Sequence, residues 1–152
     1  MFIELEDLNG VIYDYQVDQI TDGDDAIVLQ GIAAAEEEAR SYLTPNPNQR
    51  EYLDGRLLYD VDAIFSASGD NRNALILQHT LTMAKWHIIQ LCNADVLYEQ
   101  AKERYDRAID WFNKMSKGSI NLSSLPLLEL SDDNNDKQPF SFGSRAKFNH
   151  DY

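Results

Sequence analysis

Apolar residues between Asn73 and Leu122 recur at spacings of three and four. Ala74, Leu77, Leu81, Ala84, Ile88 and Leu91 fall on one helix face, and Tyr98, Ala101, Tyr105, Ala108, Phe112 and Met115 on another. The connector Cys92 to Val96 is short enough to force antiparallel neighbours. The pattern predicts a long antiparallel helical hairpin. Lys114 and Lys117 sit in the last turn, where cations suit the helix dipole, and Gly118 is the expected left-handed stop.

Upstream, residues 3–15 read as a short helix interrupted by Asn9-Gly10. Thr21 to Asp24 is a turn, with Asp22 or Asp24 as the cap of a second helix running to about Leu43. Its predicted inward residues are Val28, Ile32, Ala35, Ala39 and Leu43, with Glu36, Glu37 and Glu38 on a solvated face. Pro45 and Pro47 break it. Residues 49–72 read as a partly irregular crossover anchored by Tyr52, Leu53, Leu57, Leu58, Tyr59, Val61, Ile64 and Phe65, and Asn71 or Asn73 caps the central helix. The expected class is all-α: a small helical bundle over residues 1–122, with an extended, flexible C-terminal arm over 123–152. That arm begins with the linker Ser123 to Pro126 and passes through the polar run Asp132 to Asp136.

Charge is unevenly placed. The chain of 152 residues has a net charge of −13, yet residues 1–39 hold eleven Asp or Glu and no Lys or Arg. Such a front end repels phosphate backbones, so sequence-specific nucleic-acid binding is not expected, whereas a basic partner surface is. The stretch Asn73 to Ala94 contains Gln78, His79, Lys85, His87 and Gln90, too polar for a membrane span but suited to a central helix. Met1 to Glu4 lacks the charged and apolar regions of a secretory signal, so a cytosolic origin is expected. Cys92, the single cysteine, reads as a buried structural thiol.

Candidate chemistry is sparse. Residues three before His79, His87 and His150 are Ile76, Ala84 and Lys147, so the Glu-x-x-His of carboxylate-bridged metal bundles is missing. Asp132 to Gly143 places oxygens at the first, third and fifth positions of a calcium loop. Lys137 replaces its glycine, and Gly143 its bidentate glutamate. Phosphate loops, paired CxxC motifs and nucleophile elbows do not occur. No metal, no cofactor and no catalytic residue is therefore expected. Lys102, Arg104, Arg107, Lys114 and Lys117 alternate with Glu99, Glu103, Asp106 and Asp110, the mixture of a solvated helix face. The arm ends in an aromatic and basic stretch. Phe140, Phe142, Arg145, Lys147 and Phe148 are its candidate partner-binding residues.

The order of short motifs resembles the Mu-type head–tail joining (neck, head-completion) proteins of phages and prophages. Leu5 to Leu8 precedes Gln19 to Asp22; the Ala-rich Ala33 to Ala39 ends in Ser41 to Leu43; then come Glu103 to Phe112 and Lys117 to Leu122, and finally Ser144 to Phe148. The Pro45 to Asn48 insertion departs from that pattern, Gly55-Arg56-Leu57 standing where a Gly-Arg-Tyr-like turn belongs, and the tail is more acidic. The resemblance implies a non-enzymatic helical adaptor. It would be made in the bacterial host cytoplasm, assemble as a homo-oligomeric ring in the virion neck, and contact portal and tail-completion proteins. The alternative reading is an acidic cytosolic module that masks a basic partner such as a DNA-binding protein.

Overall fold

The computed structural model describes residues 1–45, 56–92 and 98–128, and the chain is all-α. A two-turn 3₁₀ helix, Leu5–Gly10, leads into α1 (Asp14–Thr21), α2 (Asp25–Leu43), the short α3 (Val61–Ser66), α4 (Ala74–Leu91) and α5 (Tyr98–Ser116). The expected first helix over 3–15 is thus two pieces. The segment from Gly10 breaks the run, and Phe2 and Ile3 lie buried ahead of it.

Each start has a local cause. Asp24 accepts the Ala26 N–H at 2.9 Å and opens α2, while Asp22 and Gly23 supply the left-handed turn before it. Asp60 accepts the Ala63 N–H at 2.9 Å and opens α3. Asn73 accepts the N–H groups of Leu75 and Ile76 and opens α4. Gly118, at φ +75°, closes α5, with the Ser119 N–H reaching back to the Lys114 carbonyl at 2.8 Å. The stem of Arg56 crosses so close to Gly118 that a Cβ there would lie 2.2 Å from Arg56 Cγ.

The bundle is built around α4. Gly31 of α2 faces Ile88, while Tyr42 stacks on Phe112 and His79 meets the same ring edge-on, so α2 and α4 run in opposite directions. On the other side, His79 lies on Trp111 and Trp86 on Tyr105, so α5 also runs against α4. Two covering helices change the stripe expected on α4. Ile76, Thr80, Met83, Trp86 and Ile89 are buried along with Leu81, Ala84 and Ile88, whereas Ala74 and Leu91, at the two ends, are exposed. Thr80 survives in the interior because its hydroxyl donates to the Ile76 carbonyl at 2.7 Å. On α5 the expected stripe holds through Ala101, Ala108, Phe112 and Met115, but Tyr98 lies open. All five inward residues expected on α2 are buried.

The segment read as a linker is docked. Leu125 is buried, and Tyr59 and Leu127 form an antiparallel bridge flanked by Asp60 N–H to Pro126 O at 3.0 Å and Leu128 N–H to Leu58 O at 2.8 Å. The Tyr59 hydroxyl accepts the Leu122 N–H at 2.8 Å. Tyr52 and Leu53, also expected as anchors, lie outside the described residues.

Gly31 fixes how closely α2 approaches α4. A Cβ at Gly31 would stand 2.5 Å from Ile88 Cγ1 and 3.1 Å from the Ile88 backbone nitrogen, so backbone as well as side chain would have to yield. Gly31→Ala removes a helix-interior glycine, a gain of roughly 0.5–1 kcal/mol. Overpacking costs about 1–3 kcal/mol and should win, giving net destabilisation in denaturant melts. A variant more stable than the wild type would show that the helices are not held at this distance.

Candidate functional site

Glu36 and Glu38 do not belong to the solvated face expected of them; of the three, only Glu37 is exposed. The reason is the N-terminal segment and the polar side of α4, both of which need acceptors. Glu36 Oε1 accepts the N–H groups of Phe2 and Ile3, each at 2.8 Å, so two backbone donors enter the interior satisfied. Phe2 then packs on Phe65 with ring centroids 5.0 Å apart. Arg72 closes this latch. Its guanidinium donates to the Phe2 carbonyl at 2.9 Å, to the Gly69 carbonyl at 3.0 Å, and through both Nη atoms to the Asp7 carboxylate. The Arg72 and Asp7 side chains are 9% and 18% exposed.

Glu38 joins three helices. His87 Nε2 donates to Glu38 Oε2 at 2.8 Å, and the Tyr105 hydroxyl donates to Oε1 at 2.7 Å. A carboxylate only accepts, so these contacts place a proton on Nε2 of His87. Burial first, then the hydrogen bond to Glu38 and its negative charge, hold the Tyr105 phenol well above the ordinary tyrosine range. Burial, and then the charge of the same carboxylate, raise the Tyr42 phenol. Trp86 stacks on Tyr105 at 5.4 Å, shielding one side of the cluster. This arrangement ties α2, α4 and α5 together.

His79 is half-buried against Trp111, 4.3 Å between centroids, and burial lowers its basicity. Both helix histidines have packed neighbours, aromatic for His79 and a carboxylate and a phenol ring for His87. Cys92 is only partly buried, and desolvation raises its thiol. On α5, Lys102 pairs with Asp106, Arg107 with Glu103 and Lys114 with Asp110, each one turn apart. The expected solvated face of mixed sign is therefore present, and pairs of this kind contribute little each.

The candidate partner-binding residues Phe140, Phe142, Arg145, Lys147 and Phe148 lie outside the described residues. Most acids of the front end are exposed among the described residues. Asp14, Asp18, Asp22, Asp24 and Asp25 are exposed along α1 and the turn after it, beside the exposed rings of Tyr13 and Tyr15. Among the described residues, no helix is long and apolar enough to cross a membrane. Comparison of the chain with protein-family models, with curated proteins and with solved structures finds no match.

Two outcomes test these clusters. Burial alone would raise the Asp7 carboxyl, but the Arg72 and Glu4 hydrogen bonds and the Arg72 charge hold it below the usual range. Its contribution is then fully present above the unfolded value of about 4 and is lost as pH falls through the lowered folded value. Asp7→Asn should cost about 1.5–3 kcal/mol at neutral pH, with the gap to the wild type narrowing on acidification below about pH 4. A gap that stays constant down to acid unfolding would contradict the latch.

For Tyr105 the sign is reversed: its stabilisation holds below the unfolded value of about 10 and fades as pH rises through the higher folded value. Tyrosine-ring carbon NMR should show one of the eight tyrosines ionising above the rest, and Glu38→Gln should move it back toward them. Uniform titration in the wild type would dissolve the cluster.

Proposed function

We propose that this chain is a structural adaptor of a tailed phage or prophage, assembling as a ring between portal and tail. The reading is supported by a resemblance in motif order to head–tail joining proteins; every run of that order except Ser144 to Phe148 falls among the described residues. Leu5 to Leu8 lies in the 3₁₀ turn and Gln19 to Asp22 at the end of α1. Ala33 to Leu43 is the half of α2 that carries Glu36 and Glu38, and Glu103 to Phe112 is the half of α5 that carries Tyr105. Lys117 to Leu122 is the stop after α5, built on Gly118.

The observation that carries the reading furthest is the separation of roles along the chain. The helices spend their aromatic and ionisable groups on one another, as in the Glu38 and Arg72 clusters. The acids of α1 and its turn are left to the surface. A rigid core with a one-sign face suits repeated contact with other subunits.

The same acidic face also favours the second reading, a module that masks a basic partner. Affinity purification of the chain from cells expressing its neighbouring reading frames separates the two. The connector reading expects portal or tail-completion proteins to co-purify with it in a high-mass assembly. Recovery of a DNA-binding protein instead, with neither portal nor tail protein, overturns it in favour of the masking module.

A further inference from the structure

The start of α1 holds an arrangement that the helical core does not use. Tyr13 and Tyr15 stack on one another, with centroids 5.8 Å apart and ring planes 12° apart, while remaining 66% and 65% exposed. Apolar rings paired in water, rather than turned inward, present a preformed aromatic face. Asp14, whose carboxylate accepts from the Asn9 side-chain amide, and Asp18 follow one helical turn apart and are both exposed. The ion pairs seen among the described residues fall on other acids: Asp7, Glu38, Asp62, Glu103, Asp106 and Asp110. The nearby Lys85 ammonium is turned to the Val11 carbonyl at 2.8 Å.

The chemistry that fits this surface is a cation to lie over a tyrosine ring and pair with a carboxylate, accompanied by apolar side chains. The chain carries such a stretch: residues 140–148 combine Phe140, Phe142 and Phe148 with Arg145 and Lys147 and contain no acid. Its point of departure is also informative. Leu128 pairs with Leu58 and lies in a groove with Arg40 and Thr44, at the C-terminal end of α2. The tyrosine pair lies on the element that feeds the N-terminal end of α2. Residues 129–139 separate Leu128 from the stretch 140–148, a tether that spans roughly 35–40 Å when extended and so can reach a neighbouring copy.

We infer that Tyr13, Tyr15, Asp14 and Asp18 form the docking surface for residues 140–148 of a second copy of this chain. The inference rests on the ring-assembly reading of the previous subsection and names its subunit contact. Unlike rim ion pairs alone, the aromatic face gives the contact an apolar anchor, so added salt weakens the association without abolishing it.

Sedimentation velocity of the full chain over a concentration series tests this. The wild type should self-associate. Tyr13→Ser with Tyr15→Ser, and separately Arg145→Glu with Lys147→Glu, should each weaken association by about tenfold or more, the equivalent of one anchor lost. Adding Asp14→Lys and Asp18→Lys to the Arg145→Glu, Lys147→Glu chain should restore it. Circular dichroism on every variant shows that the helices are intact, as expected for residues this exposed. A monomeric wild type overturns the inference. So does a folded Tyr13→Ser, Tyr15→Ser chain that associates like the wild type, or a charge exchange that restores nothing. Self-association with this pattern but without portal or tail proteins in the purification fails the connector reading alone; co-purification with those proteins by a chain whose association ignores the tyrosines fails the docking surface alone.

Discussion

Everything in the fold follows from the need to cover α4. Across Ala74–Leu91 the only Asp, Glu, Lys or Arg is Lys85, and eight of the helix's residues are buried. A helix that apolar around most of its circumference is stable only with partners on several sides. α2 and α5 take two of them, running against it, and the N-terminal 3₁₀ turn closes part of a third through Lys85 and Val11. The approach of α2 is set by a glycine against Ile88, and that of α5 by stacked rings, His79 on Trp111 and Trp86 on Tyr105. One surface is shaped for backbone proximity and the other for aromatic area.

Covering α4 has an electrostatic consequence. The helices brought against it bring acids with them, and a carboxylate at an interface must find donors. Glu36 finds two backbone amides of the N-terminal strap; Glu38 finds an imidazole and a phenol from the two other helices. Asp7 finds the guanidinium that also holds the strap's carbonyl. Acids placed this way specify which segment lies where. Those on α1 and its turn meet no such demand and give the molecule its one-sign end.

Much of this was legible in the sequence where a single partner decides a helix face. The α2 stripe and the stop at Gly118 are readable from local pattern, and each helix cap is readable to within two candidates, of which the structure selects Asp24 over Asp22 and Asn73 over Asn71, because each depends on neighbours within a turn. The α4 stripe was only half readable, since a helix covered from two sides has no single inward face and periodicity averages the two. Glu36 to Glu38 read as solvated because three consecutive acids match an exposed face; nothing local signals that amides 33 and 34 residues away require one of them. Gly31 carried a signal, a glycine inside an otherwise apolar helix, which marks a close helix approach. The exposed tyrosine pair of α1 was not foreseeable: Tyr13 and Tyr15 alternate as if one were inward, and their mutual stacking follows from the helix starting between them at Asp14.

The core sealed around α4 leaves its α1 end exposed, and the proposed virion-neck role requires that end to meet other subunits. Electron cryo-microscopy of particles containing the chain examines that directly. The expected density is a ring of copies between portal and tail, each with Tyr13 and Tyr15 at the boundary with its neighbour. Particles whose neck lacks the chain, or a ring in which those tyrosines face open solvent, would contradict it.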